Sequence, residues 1–132
     1  MLRVLLAEDS HNMRAFVRSA LEAEGSELGD VEVVEASSGF DALRLLPRGP
    51  YDLVITDINM PDINGLELVQ FIRGSDQHRT TPVLLISTNS SERDRERGLA
   101  LGANAYLSKP FSPESLRAEA ARHLAAGARR TA

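Results

Sequence analysis

The chain has 132 residues, 42% hydrophobic and 26% charged, the size and balance of one globular domain with its own core. A net charge of −4 leaves no basic excess to hold nucleic-acid phosphates. With no cysteine, disulfides, zinc–thiolate sites and thiol nucleophiles are excluded, which fits a reducing cytoplasmic setting.

The first apolar run, Leu2–Ala7, is cut off by Glu8 and Asp9. It is too short for a secretory signal or a membrane span, so it is predicted as a strand. Met13, Phe16, Val17, Ala20 and Leu21 then fall on one helical stripe, with Arg14, Arg18 and Glu22 outside it and Gly25 placed for a C-terminal cap. Further strands are predicted at Val31–Glu35, Leu53–Thr56, Val83–Ile86 and Ala105–Leu107, and helices at 38–46, 64–73, 91–101 and 113–125. Gly102 reads as a C-terminal cap, and Ser112–Pro113 as an N-cap with proline at the first helical position. Arg93, Arg95 and Arg97 interleave with Glu92, Asp94 and Glu96, the pattern of a solvated face. The domain is expected over 1–126, with 127–132 as a tail or linker stub.

This βα alternation predicts an α/β, doubly wound, five-stranded parallel sheet in the order 2-1-3-4-5, with helices on both faces. Ligands of such sheets bind beyond the carboxyl ends of the strands, where the strand order reverses. Those ends carry Glu8 and Asp9 on the first strand, Asp57 on the third, Ser87 on the fourth and Lys109 on the fifth. Three carboxylates brought together repel one another unless a cation joins them. Oxygen ligands without cysteine or a histidine cluster select Mg²⁺ or Mn²⁺. Asp57 is then the candidate nucleophile toward phosphorus, giving an acyl phosphate. Lys109 would pair with the phosphoryl oxygens and the Ser87 hydroxyl would hydrogen-bond one of them. His11, beside the acidic pair, reads as a loop histidine rather than a ligand.

On these residues the chain resembles a two-component response-regulator receiver domain over roughly residues 2–126, a flavodoxin-like fold. "LLAEDS" matches the acidic pair, "VITDINMPDINGLEL" the phosphoacceptor block, "PVLLIST" the hydroxyl strand and "GANAYLSKPF" the lysine block. The resemblance implies transfer of a phosphoryl group to Asp57 from a phosphohistidine on a sensor histidine kinase or phosphotransfer protein. It implies Mg²⁺ on Asp9, Asp57 and the Asn59 backbone carbonyl, with Glu8 acting through water, and a cis Lys109–Pro110 bond. Ser87 and Tyr106 would form the switch, presenting the face of helix 91–101, the fifth strand and helix 113–125 to a downstream target protein. Asn59 and Asn89 would flank the path of attacking water and tune the phosphoryl lifetime. No catalysis beyond the domain's own phosphorylation and dephosphorylation is implied.

"EDSHNMRAFVRSALE" is similar to chemotaxis-type receivers. Two features depart from the family pattern: "EGSELGDVEV" is longer than the usual turn, and Ser87 stands in place of the commoner threonine. A haloacid-dehalogenase-type hydrolase also uses an aspartyl phosphate, but it carries Asp-x-Asp on its first strand, and position 59 here is Asn. A pseudo-receiver binding module is the alternative reading; such modules typically lose an acid, the nucleophile or the lysine, all of which this chain keeps. A receiver forming part of a larger transcriptional regulator remains open.

Overall fold

Short runs of β-branched and leucine residues build the middle layer of the molecule. The computed structural model describes residues 1–88 and 92–131, with side chains described through Leu124. β1 (Leu2–Ala7), β2 (Val31–Ala36), β3 (Leu53–Asp57), β4 (Val83–Ser87) and β5 (Ala105–Ser108) form one sheet in the order β2-β1-β3-β4-β5. Every pairing is parallel, as predicted. β2 to β5 each run one residue past the sequence reading because the ladder carries them on, pairing Asp57 with Ile86 and Ser87 with Ser108. The phosphoacceptor candidate and the hydroxyl residue are therefore the last rungs of strands, not loop residues.

Successive strand residues face opposite sides of the sheet. Val4, Leu6, Ile55, Leu84 and Ile86 meet α1 (His11–Leu21) and α5 (Pro113–Thr131) through Val17, Leu21, Leu116 and Ala120. Leu5, Val54 and Leu85 meet α2 (Gly39–Leu45), α3 (Gly65–Gly74) and α4 (Glu92–Leu101) through Ala42, Leu66, Ile72 and Leu101. The side-chain oxygens of Ser10, Ser38 and Asn64 accept from N–H groups in the first turns of α1, α2 and α3. Ser112 Oγ accepts from Ser115 N at 3.0 Å, so the predicted cap of α5 forms.

Several boundaries differ from expectation. The helix predicted over 38–46 ends at Leu45 and tightens into a 3₁₀ turn at Leu46–Arg48, where Pro47 has no N–H to continue an α-helix. Gly25 is not the cap of α1; that helix closes at Glu22, whose N–H donates to Arg18 O, and Gly25 (φ 74°) turns the long α1–β2 loop instead. Gly102 (φ 118°) does follow the end of α4. Phe16 lies at the rim of the apolar stripe, 37% exposed, with its ring edge-on to Phe111. The helix predicted over 113–125 continues to Thr131. The alanine- and arginine-rich sequence there favours helix.

Candidate functional site

β1 and β3 are adjacent in the sheet, and the acids that follow β1 lie beside the aspartate that ends β3. One oxygen each from Glu8, Asp9 and Asp57 lies within 4.8 Å of the others, the sole group of three or more metal-ligating side chains among the described residues. Glu8 is fully buried, Asp57 is buried and Asp9 is exposed. Lys109 reaches over from the end of β5, placing Nζ 2.7 Å from Glu8 Oε1 and 3.3 Å from Asp57 Oδ2. The Lys109–Pro110 bond is cis, as the family pattern implies.

Backbone pairing fixes this arrangement. Glu8 N donates to Ala36 O at 3.0 Å, Ile58 N to Ile86 O at 3.1 Å, and Lys109 N to Ser87 O at 2.7 Å. Glu8 and Lys109 are thus each one residue past a rung of the sheet, while Asp57 and Ser87 are rungs themselves. Gly65 lets the β3–α3 loop fold back: its N–H donates to Ile58 O at 2.8 Å, and a Cβ there would collide with the Asp57 carbonyl oxygen. The Asn59 N–H donates to Asp57 Oδ1 at 3.3 Å, and Asn59 itself is exposed.

Electrostatics follow from this burial. Burial pushes the Glu8 carboxyl above its ordinary value, and the charge of Asp57 adds to the rise, while the Lys109 ammonium and the Ser10 N–H oppose it. For Lys109, burial works against the charged form, but the hydrogen bond to Glu8 and the charges of Asp57 and Glu8 outweigh it and raise its pKa. One lysine among three carboxylates leaves excess negative charge at the mouth of the sheet. That excess and the all-carboxylate donor set of Glu8, Asp9 and Asp57 fit a hard divalent cation.

Ser87 ends β4 fully buried, and Tyr106 is half-buried on β5, opposite Leu85 and against the core beneath α2–α4. Alternation along β4 puts the Ser87 side chain on that same face as Leu85. His11 is the exposed first residue of α1, outside the acidic cluster. The exposed Arg93, Arg95 and Arg97 agree with a solvated α4 face. Asn89 lies outside the described residues.

Two polar residues that the sequence did not mark touch the frame of the site. Arg14 Nη1 donates to the backbone carbonyl of Glu8 at 2.6 Å. Asp62, in the β3–α3 loop, accepts from Gly39 N at 3.0 Å and Phe40 N at 2.9 Å, tying that loop to the start of α2. Backbone N–H groups, that of Phe40 foremost, with those of Ile63 and Gly39, hold the Asp62 carboxyl down at about 2 against the opposing effect of its own desolvation. Long-range partners of this kind leave no periodic signal in a sequence.

Comparison with known proteins agrees with this geometry. The sequence model of the response regulator receiver domain matches residues 4–121. A chemotaxis protein CheY homolog of Campylobacter jejuni is 33% identical over 117 residues, covering 88% of this chain and 87% of that protein. A "Probable transcriptional regulatory protein" of Picosynechococcus is 42% identical over 121 residues, covering 86% of this chain; the chain spans only 45% of that relative's length. The structure of Vibrio cholerae chemotaxis protein CheY4 superimposes with a TM-score of 0.82 at 35% identity, covering 92% of this chain and 98% of that one. The acidic pair, the strand-end aspartate and the lysine that reaches both thus sit in a chain that belongs to the response regulator receiver domain family, of the CheY type.

Proposed function

We propose that the chain is a phosphorylation-activated signalling switch of the cytoplasm. Asp57 accepts a phosphoryl group from a phosphohistidine on a sensor histidine kinase or phosphotransfer protein. An oxygen of the Asp57 carboxylate attacks phosphorus, the P–N bond breaks, and its electron pair returns to the imidazole nitrogen of the donor. Lys109, already 3.3 Å from Asp57 Oδ2, pairs with an oxygen of the arriving group as its charge is delivered. Mg²⁺, or Mn²⁺, when held by Asp9, Asp57 and the Asn59 carbonyl with Glu8 through water, would supply the positive charge that phosphoryl transfer needs. The protein acts on itself in this scheme and turns over no separate substrate.

The observation that carries this reading is the placement of Lys109 between Glu8 and Asp57 at the switch point of the sheet. Output runs through a downstream target protein on the face of α4, β5 and α5, reached by way of Ser87 and Tyr106. The 45% coverage of the Picosynechococcus relative favours a second form of output, in which the same switch governs an attached regulatory domain. The test is intact-mass analysis after incubation with acetyl phosphate. One phosphoryl group is expected on the wild type with Mg²⁺, none without metal, and none on Asp57→Asn. Equal labelling of wild type and Asp57→Asn would overturn the proposal.

A further inference from the structure

Every polar group of Glu8 has a partner within the protein. Its carboxylate takes Lys109 at 2.7 Å and the Ser10 N–H at 2.9 Å, and its own N–H donates to Ala36 O at 3.0 Å. The remaining group, the carbonyl oxygen that leads into Asp9, is held by Arg14 Nη1 at 2.6 Å. That guanidinium is itself fixed from β2, where Glu35 Oε1 lies 3.3 Å from Arg14 Nε. The Arg14 side chain is only 15% exposed, so its donors are not shared freely with water. A charged donor on a carbonyl makes a short and strong hydrogen bond. The Glu8–Asp9 peptide, the one that aims both acids, is thus clamped from the adjacent strand through Arg14.

We propose that Arg14 is a positioning residue for the cation site. By gripping the Glu8 carbonyl from its anchor on Glu35, it sets the direction in which the Asp9 carboxylate leaves the end of β1. This rests on the phosphoryl-transfer reading above, because the metal it would serve belongs to that reaction.

The sign of the effect separates this role from simple charge. Removing a cation beside an acidic cluster tightens cation binding on Coulombic grounds alone. Removing a positioning residue weakens it, because the carboxylates must then be ordered as the ion binds. Arg18 provides the control within the protein. It stands one turn further along α1 and pairs with the same Glu35 at 2.8 Å and with Glu22 at 3.1 Å, but makes no contact with Glu8. Arg18→Ala therefore removes a guanidinium and its ion pairs from the same helix without releasing the clamp.

The experiment measures Mn²⁺ binding by electron paramagnetic resonance, and acetyl phosphate labelling as a function of Mg²⁺, for wild type and variants. Arg14→Ala is expected to raise the Mn²⁺ Kd about tenfold, the scale of one hydrogen bond from a charged donor. Its labelling rate should return to the wild-type value at saturating Mg²⁺. Arg14→Lys, which cannot hold Glu35 and the Glu8 carbonyl in one planar fork, should fall between them at about threefold. Arg18→Ala should leave the Kd unchanged or lower. If Arg14→Ala does not fold, Arg14→Lys and Glu35→Gln carry the test, both expected to weaken binding. Unchanged or tighter binding in the Arg14 variants, or equal weakening in Arg18→Ala, overturns the positioning role while leaving the proposed function intact. A wild type that binds no Mn²⁺ and takes no phosphoryl group overturns both.

Discussion

The Lys109 ammonium lies closer to Glu8, at 2.7 Å, than to the proposed phosphoacceptor Asp57, at 3.3 Å. Both carboxylates are buried, and the lysine side chain is only 10% exposed. In this arrangement the lysine is the internal counter-charge of the acidic pocket. Lys109→Met should accordingly destabilise the metal-free protein by about 3 kcal/mol, the low end for breaking a buried ion pair, since Glu8 can take up a proton instead. Mg²⁺ offers a replacement charge, so it should raise the urea midpoint of the variant more than that of the wild type. Equal shifts would show that the lysine does not fill that role.

Gly65 is required by space. A Cβ at this position would collide with the Asp57 carbonyl oxygen and stand 2.9 Å from Ile58 Cα. Because these are backbone atoms, the loop itself must move. Gly65→Ala should cost about 2 kcal/mol by overpacking and displace Asp57 from Lys109. The check is a loss of stability in urea together with slower labelling by acetyl phosphate; unchanged values in both would contradict the close approach.

Asp62, in the β3–α3 loop, provides a pH signature of its own. Its carboxyl falls from 3.8 to about 2 in the folded protein, chiefly through the Phe40 N–H. A lowered pKa stabilises the fold above the unfolded value of 3.8, and that contribution is lost as pH falls toward about 2. Asp62→Asn should therefore be less stable than wild type at neutral pH, with the gap closing between those two values. Parallel stability curves across that range would show that the charge of Asp62 does not brace the loop.

Ser87 and Tyr106 are expected to carry the signal outward. Phosphorylation adds charge and acceptor oxygens at the end of β3, and the Ser87 hydroxyl is drawn to them. In the proposed switch Tyr106, which is half-buried on β5, would then move inward and alter the surface of α4, β5 and α5. Ser87→Ala should still be phosphorylated but lose about 1–2 kcal/mol of coupling to that surface. NMR spectra with beryllofluoride should show shifts across residues 87–112 in the wild type and smaller ones in Ser87→Ala. No shifts there in the wild type would direct the output to another face.

Much of this was legible in the sequence because the site is built from strand ends. Glu8 and Ser87 directly follow an apolar run, Asp57 and Lys109 follow one after a single hydroxyl residue, and the order of those runs places all of them at one edge of the sheet. What periodicity could not show was which polar side chains turn back toward the frame. Arg14 reads as solvent-facing on the α1 helical wheel, yet its length carries it to the Glu8 carbonyl. His78 sits in the polar run "SDQHRTT" but is 1% exposed, with Nε2 2.6 Å from Leu46 O and its ring stacked on Tyr51. Phe16 shows the converse, an apolar residue at the correct spacing whose neighbours leave one edge open. Such placements depend on contacts between distant segments, which local spacing does not encode.

The long loop between α1 and β2 enters the sheet at the amino ends of the strands, where Leu2 N donates to Asp30 O at 3.0 Å. All the chemistry described above lies at the carboxyl ends. The loop turns on Gly25 and Gly29, both at positive φ with open space around them, and is pinned by the buried Leu28. Its tip is therefore a natural port for foreign sequence or a reporter. A cysteine introduced at Glu27, in a chain with none of its own, would be a unique handle for a fluorophore. Such a label would follow the protein through a phosphorylation cycle from the far end of the sheet, without touching a group that takes part in it.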